Sequence, residues 1–444
     1  MIRLYNSKTL QVEDFKPIHE GHVDMYVCGP TVYNYAHIGN ARPMIVFDVL
    51  KRLFEAEGYT VKYVSNFTDV DDKIIKKAAE ENTTEGVIAE RYIKAYQEVR
   101  TLLNTQQPDI TPRVTETMDQ IIAFIDALVQ KGNAYEVDGD VYFSVDSVPS
   151  YGEISHQKLD HLEAGARIET NDQKKNPYDF ALWKKTDMGI KWNSPWGEGR
   201  PGWHTECVVM INDNMGPIID IHGGGMDLKF PHHENEAAQQ EAMNGNSLAN
   251  YWIHNAMVNI DGEKMSKSLG NTMWAKDVVL KLGTNLTRWL VSSVHYRKEL
   301  NFSEETVETA RKELDKVLKP VRQADIKAAL ANADMGEAYD EAEYRAFLDA
   351  MDDDMNTPNA YAVIFETIKK LNQNLRQREI DYAAVGSSRN AVEKMLAILG
   401  ITVEKPQITD EDREMFAKWN AAKAEKNFAE ADKWREQLAA KGLL

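Results

Sequence analysis

The fold is decided by one stretch: Asp24-Met25-Tyr26-Val27-Cys28-Gly29-Pro30-Thr31-Val32-Tyr33-Asn34-Tyr35-Ala36-His37-Ile38-Gly39-Asn40-Ala41-Arg42-Pro43. Its first five residues read as a short β-strand and Gly29-Pro30-Thr31 as a turn. A helix follows, with Pro43 near its first turn and an apolar face running through Met44, Phe47, Leu50 and Phe54 to a stop at Gly58. Thr60-Val61-Lys62-Tyr63-Val64-Ser65 reads as the next strand. The order strand, glycine loop, helix, strand predicts a parallel α/β sheet with its ligand at the strand carboxyl ends, and Cys28 at that mouth.

Outward from this unit, residues 71–131 have a helical pattern, and Ala134 to Val145 alternates like a small hairpin around Asp138-Gly139-Asp140. From about Pro149 to Gly202, glycines, prolines and charges interrupt any period, which reads as an insertion between two halves of the sheet. Ile218-Ile219-Asp220-Ile221-His222 restores a buried-strand pattern before Gly223-Gly224-Gly225. Beyond Phe302 the chain reads as helical, capped at Ser303, broken at Gly400 to Pro406, and ending in a helical hairpin from Thr409. The predicted class is α/β: a Rossmann-like parallel-sheet catalytic domain split by an insertion, then an all-α C-terminal bundle and a small terminal hairpin. The divisions are 1–115 and 201–248 for the two sheet halves, 116–200 for the connective insertion, 249–301 for a loop-bearing junction, 302–400 for the bundle and 401–444 for the small helical domain.

With 43% hydrophobic and 27% charged residues the chain has ordinary globular composition, and its longest apolar runs are too short to span a bilayer. Its N-terminal residues carry no apolar signal region, so a cytoplasmic protein with no membrane association is expected. Two cysteines, Cys28 and Cys207, are better suited to metal or catalytic use than to a disulfide there. A net charge of −18 does not exclude a nucleic-acid partner, because phosphates are met by local clusters of Lys and Arg.

Three constellations carry chemistry. The His37 loop opens a helix, whose N-terminal amides and dipole suit a phosphate. Glu263-Lys264-Met265-Ser266-Lys267-Ser268-Leu269-Gly270-Asn271 places Lys264 and Lys267 in a loop after an apolar strand, where two ammonium groups can neutralise charge on a departing pyrophosphate. Finally, Phe230-Pro231-His232-His233-Glu234-Asn235-Glu236 reads as the opening of a helix that puts His232 and Glu236 on one face at i, i+4, with His233 and Glu236 at i, i+3 as the rival pair. With Cys28 and Cys207 either pair could complete a four-ligand zinc site. Cys207 ahead of Val208-Val209-Met210 also fits a plain buried hydrophobe, and the absence of a second histidine disfavours an HExxH protease.

These loops, in this order, resemble the ATP site of class I aminoacyl-tRNA synthetases. Tyr26 to Tyr33, Asn66 to Ile74, Ser194 to Gly197, Gly199 to His204, Asp220 to Gly225 and Phe230 to Glu236 make the chain similar to the cysteinyl-tRNA synthetase family over nearly its whole length. The resemblance implies one zinc ion per chain on Cys28, Cys207, His232 and Glu236, and Thr68, Trp203 and His222 around the amino acid. It also implies an ATP and Mg2+ site involving His37, Gly39, Asn40, Gly224, Asp227 and Lys267, with His37, Asn40, Lys264 and Lys267 as catalytic groups. The implied partners are L-cysteine, ATP and tRNA(Cys), for a monomeric enzyme. Asn40 stands where the class often has a second histidine. Arg413, Lys418, Lys433, Trp434 and Arg435 offer charge and a stacking surface for anticodon bases. Two other readings are a cysteine ligase acting on a small amine and a non-catalytic zinc-stabilised RNA-binding protein.

Overall fold

A computed structural model describes residues 1–157, 173–265 and 270–443. They form two compact units, Met1–Gly283 with Tyr296–Phe302, and Thr284–His295 with Ser303–Leu444.

In the first unit β1 (Arg3–Asn6) and β2 (Gln11–Asp14) form an antiparallel pair, followed by β3 (His22–Val27), α1 (Ile38–Ala56) and β4 (Thr60–Val64). Helices α2 (Asp72–Glu80), α3 (Glu85–Leu102) and α4 (Met118–Gln130) lead to strands β5 (Ala134–Val137), β6 (Asp140–Phe143), β7 (Phe180–Lys185) and β8 (Gly199–Pro201). Then come α5 (Trp203–Met215), β9 (Ile219–Gly225), α6 (Glu234–Asn244), β10 (Ala249–Asn255), β11 (Val258–Ile260), β12 (Glu263–Lys264), α7 (Ala275–Leu282) and β13 (Leu300–Phe302). The central sheet has the order β10-β9-β3-β4 with every pairing parallel, as the strand-loop-helix-strand reading requires. Helix α1 lies on it closely enough that a Cβ at Gly223 of β9 would come within 2.3 Å of the Phe47 ring. Only glycine allows that approach.

The structure revises five readings. Pro43 is the sixth residue of α1, inside the helix. The helix continues because proline's fixed φ is helical, and the one lost bond falls on Gly39 C=O, in the partly exposed first turn. Helix α1 also buries far more than one stripe, Arg42, Asp48 and Lys51 included, because it packs on several sides. The irregular insertion supplies β7 and β8, which extend the β5–β6 hairpin into a four-stranded antiparallel sheet; its strands are short and interrupted, so they show no period. And Phe230 is extended (φ −139°, ψ 134°), as a residue before proline prefers, so α6 begins at Glu234 and not at Phe230. Residues 249–255, placed with the junction on sequence, form the edge strand β10 of the parallel sheet.

The second unit is α8 (Thr284–Ser292), α9 (Glu304–Leu330), α10 (Glu341–Asp352), α11 (Thr357–Leu375), α12 (Tyr382–Ile398), α13 (Asp410–Ala424) and α14 (Phe428–Ala440). Ser303, Asp340, Asn356, Asp381, Thr409 and Asn427 cap their helices with side-chain oxygens. Trp289 stacks on Tyr361 at 4.0 Å, and the buried Arg389 pairs with Asp325 at 2.8 Å. The terminal hairpin packs Met415, Leu438 and Leu443 on Ile326 and Leu330 of α9.

Candidate active site

The carboxyl ends of β3, β4 and β9 converge on a buried polar cluster. Cys28 follows β3, Cys207 lies in the second turn of α5, and His232 and Glu236 flank the start of α6. Although Phe230 interrupts the helix, His232 Nε2 still reaches Glu236 Oε1 at 2.7 Å. One ligand atom each from Cys28, Cys207, His232 and Glu236 fall within 4.8 Å of one another, and so do atoms of Cys28, His222, His233 and Glu236. The rival histidine is therefore also near: His233 Nε2 lies 3.3 Å from Cys28 Sγ.

The electrostatics distinguish the members. Burial would raise the Glu236 carboxyl, but the imidazoles of His222 and His232 hold it well below the usual carboxylate range. The two sulfurs lie 3.7 Å apart; Cys28 donates, which pulls the Cys207 thiol down to about 6 against burial, while burial and the neighbouring Cys207 push Cys28 well up. Burial drives His204 and His233 well below the ordinary histidine value, and His254 to about 3, so all three are neutral. His232 is pushed to about 10: burial opposes protonation, but Glu236 outweighs it. Two sulfurs, an imidazole and a carboxylate, with ligand atoms this close together, fit a zinc ion.

Of the expected amino-acid pocket, His222 Nε2–H donates to Glu236 Oε2 at 2.5 Å and stacks on Trp252, while its buried Nδ1 has no hydrogen-bond partner among the described residues. Thr68 Oγ1 donates to Glu206 Oε2 at 2.9 Å. Trp203 is 39% exposed and stacks on His232 at 4.2 Å, so it covers the cluster on the solvent side.

The His37 loop is organised by its own cap. Asn40 N–H donates to His37 Nδ1 at 3.3 Å, and Asn40 Oδ1 accepts from His37 N–H at 3.0 Å. Asp261 (φ 49°) and Gly262 (φ 81°) make the tight turn between β11 and β12 that leaves Lys264 exposed opposite Asn259. Met265 from that hairpin reaches Gly39, whose missing Cβ would sit 3.0 Å from the Met265 methyl. Lys267 lies outside the described residues. Gly224 ends in contact range of Leu228 and His233, and Asp227 is exposed on the turn after β9.

Residues 14–312 match the catalytic-domain model of class I (C) tRNA synthetases, and residues 346–404 match a DALR domain. A cysteine-tRNA ligase of Geobacillus sp. (strain WCH70) is 47% identical, covering 100% of this chain and 97% of the relative. The chain belongs to the cysteine-tRNA ligase family. Another member, from Oceanobacillus iheyensis, is 46% identical over 100% of this chain and 97% of its own length. The class I fold of the family is also seen in Mycobacterium tuberculosis methionyl-tRNA synthetase with methionyl-adenylate (TM-score 0.63, 14% identity, 85% of this chain and 89% of that one). Thermus thermophilus arginyl-tRNA synthetase shares it too (TM-score 0.57, 11% identity, 89% and 84%). Neither the small-amine ligase nor the non-catalytic reading is favoured by relatives that match end to end.

Several site residues escaped the sequence reading. His204 Nδ1 meets His232 Nδ1 at 3.1 Å, His254 Nε2 meets His233 Nδ1 at 2.8 Å, and Ser7 Oγ meets His254 Nδ1 at 2.8 Å. Glu206, whose carboxyl burial and the adjacent Cys207 raise well above the usual range, accepts from Thr68. Only pairing between remote segments identifies them; His204 and Glu206 adjoin recognised motifs, but Ser7 has no local signal.

Among the described residues no helix is long and apolar enough to cross a membrane.

Proposed function

We propose that this chain activates L-cysteine with Mg-ATP to cysteinyl-adenylate and passes the cysteinyl group to the 3′ end of tRNA(Cys). The observation that carries the amino-acid choice is the close set of Cys28, Cys207, His232 and Glu236 at the strand carboxyl ends. A shape pocket separates cysteine from serine by only about 1–3 kcal/mol. A zinc ion held by these four side chains supplies a preference for thiolate sulfur over a hydroxyl. His232 is favoured over His233 as its ligand because it joins both sulfurs in one set, whereas His233 is tied to His254. Thr68, Trp203 and His222 close the pocket around the bound amino acid.

The cysteine carboxylate attacks the α-phosphorus and pyrophosphate leaves. No protein nucleophile is needed, so the chain's own part is positioning and charge stabilisation. His37 and the amide of Asn40 face the α-phosphate, Gly39 and Gly224 admit the nucleotide closely, Asp227 holds the ribose, and Lys264 and Lys267 neutralise the leaving group.

For the tRNA, two of the C-terminal cations are engaged by oxygens, Arg413 with Asp410 and Ala329 O and Arg435 with Asp432, while Lys418 and Lys433 lie over Trp434 as Lys423 lies over Trp419. A cleft of about 1030 Å³ beside them, lined by Lys319, Arg322, Arg378, Phe416, Trp419 and Lys423, combines cations with stacking faces and better suits anticodon bases. The same reading has the enzyme working as a cytoplasmic monomer.

The test is ATP–pyrophosphate exchange with cysteine against serine, with and without chelator, followed by acylation of tRNA bearing a GCA anticodon. Exchange without tRNA acylation would overturn the tRNA assignment, and equal exchange with serine the zinc-based selection.

A further inference from the structure

Arg42 lies five residues after His37 on α1 and is fully buried. Its Nη1 donates to the carbonyls of Ala256 and Met257, both at 2.8 Å, and its Nη2 to Lys298 O at 2.5 Å. Ala256 and Met257 are the two residues between β10 and β11, where the chain leaves the parallel sheet for the three-stranded sheet β12-β11-β13. Lys298 comes just before β13, the other neighbour of β11. From this crossover, β11, the Asp261-Gly262 turn and β12 lead directly to Lys264. The guanidinium thus joins the helix that starts at His37 to the base of the hairpin that ends at Lys264.

The chain beyond that loop is held to the same helix start by main-chain hydrogen bonds, beside an edge contact of the Tyr35 and Trp274 rings. Ile38 N–H donates to Met273 O at 2.9 Å, and Ala275 N–H to Ala36 O at 2.8 Å. These bonds need no particular side chain. The near side is different, because carbonyls from two separate chain segments are gathered by one side chain. A buried guanidinium is a poor space filler, since an apolar residue of similar volume avoids its desolvation. Its planar fork with five donors can hold several carbonyls at fixed angles, which the point charge of lysine cannot reproduce.

We infer that Arg42 is a positioning residue for adenylate formation, setting the separation of His37 and Lys264 through the β10–β11 crossover without touching a reacting atom. The inference rests on the proposed reading of those two residues as phosphate-binding groups. A displacement near 1 Å in such a site costs about 100-fold in rate.

Arg42→Lys and Arg42→Met test it in the full chain. The expected result is a fall in exchange turnover of about 10-fold for Lys and about 100-fold for Met, with the KM for cysteine and the zinc content within about twofold of wild type. Trypsin cleavage after Lys264 should quicken in both variants, and added ATP should protect less. Wild-type turnover in Arg42→Met overturns the inference. So does a loss of turnover matched by equal losses in folded protein and zinc, which is what a purely structural role produces. The trypsin comparison with ATP needs no cysteine chemistry. It decides the Arg42 assignment even if the wild-type chain fails to exchange with cysteine, an outcome that would count against the proposed function instead.

Discussion

His37 and Asn40 cap one another: the Asn40 N–H donates to His37 Nδ1, and Asn40 Oδ1 accepts from the His37 N–H. The residue that departs from the common class pattern is therefore an acceptor in the helix cap, and its side-chain amide is the donor proposed to meet the phosphate. Asn40→Asp keeps the acceptor and loses the donor, so it should stay within about 0.5 kcal/mol of wild-type stability while its added negative charge lowers ATP–pyrophosphate exchange about 10-fold or more. Asn40→Ala loses both and should also cost about 1 kcal/mol in denaturant unfolding. Equal activity in Asn40→Asp and wild type would remove Asn40 from the phosphate site.

The two histidines that are rival candidates for the proposed zinc can be separated directly. Elemental analysis of purified protein should find one zinc per chain in wild type, none in Cys207→Ser, and a large loss in His232→Asn. His233→Asn should retain zinc, with affinity reduced about 10- to 100-fold at most, as expected for a group outside the ligand set. The reverse order of the two histidine variants would move the site to the Cys28, His222, His233 and Glu236 set.

Trp419 and Lys423 sit together in the second unit, the ammonium 3.6 Å from the ring centroid. Trp419→Ala should remove about 1–3 kcal/mol of stacking and raise the KM for tRNA about 10-fold or more. Exchange of ATP and pyrophosphate should be unchanged, since that step needs no tRNA. Lys423→Glu should also reduce the salt dependence of tRNA binding. Unaltered tRNA kinetics in both variants would place the anticodon elsewhere.

The terminal hairpin carries a pH-dependent contribution. Lys441 Nζ at 2.6 Å, with the Thr409 N–H and hydroxyl, lowers the Asp412 carboxyl from 3.8 to about 2. A group whose folded value lies below its unfolded one stabilises the fold above the unfolded value and loses that effect as pH falls through the folded one. Asp412→Asn should thus lower the unfolding temperature at neutral pH, with the difference from wild type fading between about pH 4 and pH 2. A difference that persists at pH 2 would count against it.

Much of this protein was legible in local sequence because its signals are local. The parallel sheet follows from the strand at Asp24–Cys28, its glycine turn and the helix after it, and the caps at Ser303 and Thr409 announce their helices. Cys28, Cys207, His232 and Glu236 were named from residue type and spacing, and the family resemblance chose among them. The tertiary structure decided what depends on atoms far apart in sequence. It broke the expected helix at Phe230 yet kept His232 against Glu236, ordered the insertion as β7 and β8 by pairing them with β6, and joined Arg42 to carbonyls more than two hundred residues away. It also tied His37 to Asn40 in a cap, set His204 against His232, and backed His233 with His254 and Ser7. Spacing along the chain determines which side chains share a face; only the packing of the sheet, its helices and its crossover determines which faces meet.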